Sequence, residues 1–191
     1  MSLSAAPLGD APPRRATNEE EPHVEDQDRS GRRRCAGRGA DGSRGSGVFV
    51  DHGHGPSNTY DAAYADISTQ VHAWTRGDST TVRLMVNGLP PGRTFGAHVH
   101  TGTCSADPAA SGGHYQHPTA TAVPLAEREV WLDVTSDARG RGVATATVPW
   151  SFAPGSAGSV VIHALPTNAQ TGAAGARLAC TSVAFGDHHD D

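Results

Sequence analysis

The sequence contains no lysine, few aromatic residues and no long hydrophobic run. All fifteen basic side chains are arginines, aromatic residues make up 5% of the chain, and the formal net charge is -5. The arginine clusters Arg14-Arg15 and Arg32–Arg34 lie in a segment without hydrophobic periodicity. The chain therefore lacks the basic, groove-reading elements that nucleic-acid binding requires. Because no stretch of about 18 apolar residues occurs, the sequence also predicts no membrane span.

The first 56 residues differ in composition from the rest. They run from a Pro-rich start through NEEEPHVEDQD to an Arg/Gly/Ser-rich stretch. Such a composition buries too little apolar surface to offset chain entropy, so residues 1–56 are expected to form a disordered tail. No basic start followed by an apolar core, which would indicate a signal peptide, follows Met1. The final residues 187–191 form a short acidic and histidine-containing tail, which leaves 57–186 as the folded domain.

Short runs rich in Val, Thr, Ile and Leu begin near Tyr60 and alternate with turn segments such as GLPPG, SDARGRG and APGSAG. Within these runs, apolar residues recur at every second position, as in 82–86 and 130–134. No eleven-residue window shows a helical stripe. This pattern predicts an all-β domain, an antiparallel Greek-key sandwich or flattened barrel of about seven or eight strands.

Four of the eleven histidines lie within residues 96–118. His98 and His100 follow a strand-like run, and alternate residues of a strand face the same side, so both imidazoles are expected to project together. Gly112-Gly113 permits a sharp turn that brings His114 back towards the pair. Three converging imidazoles favour copper or zinc over magnesium or calcium. The alternative is a half-exposed strand that carries two surface histidines.

Two further features lie on strand-like segments. His163 is surrounded by apolar residues in SVVIHALP. A buried histidine needs a partner, which is either a metal ion or a backbone carbonyl. Cys104 and Cys180 either form a disulfide, which would tie the loop after His100 to the last strand, or remain reduced thiols in a cytosolic protein.

The motifs GLPPGRTFGAHVH, GGHY, VVIHA and GAAGARLAC occur in this order over about residues 80–186. In residue type, order and spacing they resemble the copper–zinc superoxide dismutases. The resemblance implies a disulfide between Cys104 and Cys180, and a catalytic role for Arg177 as the arginine that guides superoxide to copper. It implies that His114 takes the place of the histidine that bridges copper to zinc. The copper ligands that it implies are His98, His100, His114 and His163.

The sequence also departs from this family at the zinc site. The family uses two more histidines and an aspartate in the loop after the bridging histidine, but only His117 lies between His114 and His163. Asp133 falls beyond the place of the zinc aspartate and is not assigned as a ligand. These departures resemble the copper-only branch and make zinc binding doubtful. His117 is interpreted as a neighbour of the metal that does not bind it, a weak zinc ligand, or a solvated loop residue.

The resemblance implies an enzyme with one copper ion that converts superoxide into oxygen and hydrogen peroxide. The alternative is a non-enzymatic copper-binding or buffering module, because the same fold can carry either function. Arg177 favours the enzyme, since a copper buffer needs no anion guide. A disulfide and a superoxide substrate indicate an exported, cell-envelope or extracellular protein, although no signal peptide is visible. No interface signature indicates the oligomeric state.

Overall fold

A computed structural model describes residues 48–54, 58–118 and 123–186. Within these ranges the secondary structure consists of short strands and three short 3-10 helices, without an α-helix. None of the helices in the described ranges has the length and hydrophobicity needed to cross a membrane. The strands are β1 (Val48–His54), β2 (Asn58–Thr59), β3 (Ser68–Arg76), β4 (Ser79–Asn87), β5 (Thr94–Phe95), β6 (Ala97–His100), β7 (Val134–Thr135), β8 (Gly142–Val148), β9 (Ser159–His163) and β10 (Arg177–Ser182). The 3-10 helices are Ala62–Tyr64, Pro108–Ser111 and Leu125–Glu127.

The strands form two four-stranded sheets and one two-stranded ribbon. The sheets have the orders β1-β3-β4-β8 and β2-β10-β9-β6, the ribbon pairs β5 with β7, and every pairing is antiparallel. Neighbours such as β6 and β9 are distant in the chain, because the chain crosses from one sheet to the other. The predicted all-β sandwich is confirmed. The structure has more strands than the seven or eight expected, because the two-residue strands β2 and β5 are too short to show an alternating pattern and β1 lies in the segment 1–56.

The core lies between the two large sheets and follows the predicted alternation. Val82, Leu84 and Val86 of β4 are each at most 1% exposed, and Val99 and Ile162 face them from the second sheet. Residues 130–134 also bury every second side chain, although only the last of these residues belongs to a strand. In contrast, β6 and β9 are buried at every residue. One side of these two strands faces the core, and the other side is covered by loops.

The start of the sheet differs from the boundary expected from composition. Strand β1 lies inside the segment 1–56 that was predicted to be disordered, and it pairs with β3. The Arg/Gly/Ser-rich composition of the preceding residues concealed this strand. The remainder of the predicted tail, residues 1–47 and 55–56, and the tail 187–191 lie outside the described residues.

A disulfide joins Cys104 to Cys180 across a sequence separation of 76 residues. Cys104 follows β6 in a loop, and Cys180 is a fully buried residue of β10. The backbone N–H of Cys104 also donates a hydrogen bond to Ser182 Oγ, at 3.1 Å. The predicted bridge is therefore confirmed, and it fixes the loop after β6 to the last strand.

Candidate metal centre

Four histidines converge on one point at the second sheet. His98, His100, His114 and His163 each offer a ring nitrogen, and these nitrogens all lie within 4.8 Å of one another. Among the described residues, no other group of three or more potential ligands is brought together in this way. His98 and His100 are fully buried, His163 is 4% exposed, and His114 is partly exposed. Solvent therefore reaches the group on the His114 side.

Strands β6 and β9 position three of these side chains. His98 and His100 alternate with Val99, which is 1% exposed in the core, so both imidazoles project from the opposite side of β6. Antiparallel pairing places His98 opposite Val161. His163 lies at the end of β9, where its backbone N–H donates to the carbonyl of Gly96 at 2.7 Å. The register of two adjacent strands thus brings together side chains that are far apart in the sequence.

The turn at Gly112 brings the fourth histidine back to the pair. Gly112 has φ of 70°, a left-handed conformation, and a Cβ at this position would overlap the side chain of Thr101. The Thr101 N–H donates to the carbonyl of Gly113 at 3.0 Å, and His114 forms an isolated β-bridge with His100. The glycine pair therefore acts as the sequence predicted.

Two of the histidines are held by backbone carbonyls. Nδ1 of His100 lies 3.1 Å from the carbonyl oxygen of Gly112, and Nδ1 of His163 lies 3.1 Å from that of Gly175. Because a carbonyl only accepts hydrogen bonds, each Nδ1 carries the proton and donates it. The Nε2 atoms of the same two rings point inward and lie 3.3 Å apart. Both Nε2 lone pairs are therefore directed towards the centre of the group.

The other two histidines are held by side chains. Nδ1 of His114 lies 3.0 Å from Oε2 of Glu129, to which it donates a hydrogen bond. Nε2 of His98 lies 2.8 Å from Oγ1 of Thr167. The remaining nitrogen of His98, Nδ1, is buried and has no hydrogen-bond partner. A buried polar atom without a partner is costly, so this nitrogen is a candidate to bind a metal ion.

The surroundings keep the buried rings neutral. Burial, together with the neighbouring histidines, lowers the pKa of His98 from 6.5 to about 2. Burial is also the largest cause of the lowered pKa values of His100, about 3, and His163, about 4, to which the charge of Arg177 contributes. Neutral imidazole is the form that binds a metal ion, so these nitrogens are available as ligands at neutral pH.

Glu129 is a functional residue that the sequence analysis missed. It is 4% exposed and accepts hydrogen bonds from Gln116 Nε2 at 2.9 Å and Trp131 Nε1 at 2.7 Å, besides the one from His114. Burial alone would raise the pKa of Glu129, but these hydrogen bonds lower it below its ordinary value. The sequence contained only a partial signal: Glu129 is in phase with Trp131 and out of phase with the buried Val130, which places it on the opposite face of this segment but does not show that this face contacts the histidines.

Arg177 lies beside the group and is anchored to the loop before His114. Its Nη1 donates to the carbonyl of Pro108 and to Ser111 Oγ, the latter at 2.9 Å. Its Nη2 donates to the carbonyl of Gly112 at 2.6 Å. The same carbonyl also accepts a hydrogen bond from Nδ1 of His100, so Arg177 and His100 share one acceptor.

The other residues considered from the sequence are placed elsewhere. His117 does not join the group; its ring stacks on Trp150 at 4.7 Å, and its backbone N–H donates to the carbonyl of Arg128. Asp133 also does not contribute a ligand atom to the group. Its carboxylate binds the side-chain hydroxyl of Thr167 and, at 2.9 Å, the backbone N–H of the same residue.

These features define a β-sandwich with a candidate metal site. Four imidazoles, each with one nitrogen hydrogen-bonded outward and the other directed inward, form a donor set that fits copper or zinc. The buried, unpartnered Nδ1 of His98 agrees with this fit. No oxygen donor belongs to the group, so the set does not fit the preferences of magnesium or calcium.

Comparison with known proteins places the sandwich in a family. Residues 67–183 match the family model "Copper/zinc superoxide dismutase (SODC)". Because this match spans more than half of the chain, the protein belongs to the copper/zinc superoxide dismutase family. Among solved structures, it is similar to a double mutant of a SOD-like protein from Bacillus subtilis, with a TM-score of 0.52 and 16% sequence identity. That similarity covers 72% of this chain and 99% of the other, and at this identity it supports the fold alone. Among curated protein sequences, none matches the chain significantly.

Proposed function

We propose that the protein is a copper-dependent superoxide dismutase. The observation that carries this proposal is the group of four histidines whose inward ring nitrogens lie within 4.8 Å of one another. When bound to these nitrogens, copper supplies a reversible one-electron couple, which zinc does not have. The overall reaction converts two superoxide anions and two protons into one molecule of dioxygen and one of hydrogen peroxide. Membership of the family supports copper as the metal and superoxide as the substrate.

The histidines and their partners serve to orient the metal ligands. The two carbonyls at Gly112 and Gly175 hold Nδ1–H of His100 and His163, so Nε2 of each ring is the ligand atom. His114 is the partly exposed member of the group. We assign it the ligand atom Nε2 and a position where substrate and protons reach the site.

The surroundings of His114 favour a site that holds copper without zinc. If His114 held one metal ion at each ring nitrogen, the second ion would need Nδ1 as a ligand. In this structure Nδ1 donates to the buried carboxylate of Glu129. Glu129 itself accepts two further hydrogen bonds, from Gln116 and Trp131. The group contains only the four histidines, so it offers no additional ligand for a second metal ion next to His114. His117, the other histidine of this loop, stacks on Trp150. Glu129 therefore gives His114 the orientation that a second metal ion would otherwise give, and it does so with a negative charge in place of a positive one.

Arg177 is assigned the capture of superoxide. The formal net charge of the protein is -5, which repels an anion, so any attraction has to be local. The guanidinium of Arg177 lies close enough to His100 and His163 to contribute to their lowered pKa values. Three hydrogen bonds to the loop hold this charge in place. A fixed positive charge beside the metal would increase the rate at which superoxide reaches it, and salt would weaken this effect.

We further propose that the protein functions outside the reducing cytosol. The disulfide between Cys104 and Cys180 supports this location, because such bonds persist in exported, cell-envelope and extracellular proteins.

The test is to load the protein with copper and zinc together, dialyse it, and measure metal content and superoxide removal on the same sample. One copper, little zinc and rapid turnover would support the proposal. One copper and one zinc per chain would contradict the role given to Glu129. Copper without turnover would instead support the non-enzymatic copper-binding module.

A further inference from the structure

His98 differs from the other three histidines in the kind of hydrogen-bond partner that its outer ring nitrogen contacts. The outer nitrogens of His100 and His163 face carbonyls, and that of His114 faces a carboxylate, all of which only accept hydrogen bonds. The outer nitrogen of His98 faces the hydroxyl of Thr167 at 2.8 Å. A hydroxyl can either donate or accept. By itself, Thr167 therefore does not determine which nitrogen of His98 carries the proton.

Asp133 removes this ambiguity. Its Oδ2 accepts a hydrogen bond from the backbone N–H of Thr167 at 2.9 Å, and its Oδ1 accepts one from the Thr167 hydroxyl. A carboxylate has no proton to give, so the single hydroxyl proton of Thr167 is directed to Asp133. The Thr167 oxygen then presents a lone pair to His98, and Nε2 of His98 has to be the protonated nitrogen.

We propose that Asp133, acting through Thr167, is a positioning residue that keeps the proton of His98 on Nε2 and thereby leaves Nδ1 as the metal-binding atom. Nδ1 is buried inside the group and has no hydrogen-bond partner. If the proton moved to Nδ1, the ring would direct an N–H into the centre of the site and lose its ligand atom. This inference rests on the metal site of the proposed function and adds the residues that select one of its four ligand atoms.

The packing around Gly96 holds the relay in place. A Cβ on Gly96 would lie 2.8 Å from Oγ1 of Thr167 and 2.9 Å from the carbonyl oxygen of Leu165, closer than atoms normally approach. The Gly96 N–H donates to that same carbonyl at 2.8 Å. The absence of a side chain at Gly96 thus allows the loop after β9 to lie against the start of β6, two residues before His98.

The test uses variants that change the direction of the hydrogen bonds while preserving shape. In Asp133→Asn, the oxygen of the introduced amide can still accept from the Thr167 N–H, but its NH2 group can donate to the hydroxyl. The hydroxyl is then free to donate to His98, which favours the proton on Nδ1. Thr167→Val removes the hydroxyl at nearly constant volume, whereas Thr167→Ser retains it. Asp137→Asn is the matched control, because the Asp137 carboxylate binds Arg139 and Arg141 instead of the relay.

The readout is the tautomer of His98 in the copper-free protein, measured by long-range ¹H–¹⁵N NMR correlations of the imidazole ring. The proton is expected on Nε2 in the parent protein, Thr167→Ser and Asp137→Asn, and at least partly on Nδ1 in Asp133→Asn and Thr167→Val. Copper affinity, measured by competition with a chelator, should fall about 10- to 100-fold in the latter two variants.

Two results would overturn the inference. One is a proton on Nδ1 of His98 in the parent protein, and the other is an unchanged tautomer in both Asp133→Asn and Thr167→Val. If Asp133→Asn fails to fold, the comparison of Thr167→Val with Thr167→Ser decides the question. Because the tautomer is measured without metal and without superoxide, a protein that lacks dismutase activity can still confirm the relay, and failure of the relay leaves the activity assay unaffected.

Discussion

The buried carboxylate of Glu129 gives the most demanding test of the site. It accepts hydrogen bonds from His114, Gln116 and Trp131, at 3.0, 2.9 and 2.7 Å. Glu129→Gln preserves the shape and removes the charge. The oxygen of the introduced amide can still accept from His114 and Trp131, while its NH2 group faces Gln116, whose own amide can rotate to accept. Glu129→Ala removes all three acceptor contacts.

The expected magnitudes follow from these contacts. A hydrogen bond to a charged group contributes about 1.5–3 kcal/mol and a neutral one about 0.5–1.5 kcal/mol. Each of the three bonds should therefore lose about 1–1.5 kcal/mol, which would lower the free energy of unfolding by about 3–4.5 kcal/mol in Glu129→Gln. In Glu129→Ala, three donors are left unpaired at about 1–3 kcal/mol each, so the loss should be at least about 3 kcal/mol. Copper affinity should also fall by about 10- to 100-fold in Glu129→Gln, because the partner of a metal-binding histidine is weakened.

The assay is chemical unfolding of the oxidised, copper-free protein at neutral pH, followed by copper competition on the same preparations. Glu127→Gln is the matched control, since Glu127 is exposed and lies two residues away. This control should change the free energy of unfolding by less than about 0.5 kcal/mol. Glu129→Gln and Glu127→Gln with equal stability and equal copper affinity would refute the role assigned to the Glu129 carboxylate.

Four further outcomes are expected. His163→Ala should abolish tight copper binding while circular dichroism still shows the β-fold; undiminished copper affinity would exclude His163 as a ligand. Arg177→Ala should reduce the rate of superoxide removal about tenfold and flatten its dependence on salt, whereas an unchanged rate would return Arg177 to a structural role. Cys104→Ser should lower the free energy of unfolding by about 4 kcal/mol, because the bridge closes a loop of 76 residues. An equal free energy of unfolding for the variant and the parent under oxidising conditions would contradict this. The copper-free protein should lose stability as the pH falls below 6.5, because burial lowers the pKa of His98 to about 2 and the unfolded chain therefore binds more protons. The slope should be about 1.4 kcal/mol per pH unit for each such histidine, and pH-independent unfolding between pH 6.5 and 4.5 would contradict the neutral, buried rings.

The parts of the fold that could be predicted are those with a local pattern. The alternation in β4 predicted which residues enter the core, and the spacing of His98 and His100 predicted that both rings share one side of β6. Strand β1 follows a segment rich in Arg, Gly and Ser, and it exists through pairing with β3, which no local pattern indicates. The two-residue strands β2 and β5 were missed because two residues cannot show an alternation, whereas β7 begins at the last residue of the alternating segment 130–134.

The supports of the histidines show why a site is harder to predict than a core. In residues 129–134, the buried Val130 and Leu132 define one face, and the opposite face, with Glu129 and Asp133, would normally be assigned to solvent. That face is instead covered by segments that are distant in the sequence: Glu129 binds a ring 15 residues away, and Asp133 binds a threonine 34 residues away. The spacing of His98, His100 and His114 therefore indicates candidate ligands from the sequence. The carboxylates that fix the protons of those ligands become visible only when the loops that return over the sheet are known, and the variants at Glu129 and Asp133 consequently test the structure more sharply than substitutions of the histidines themselves.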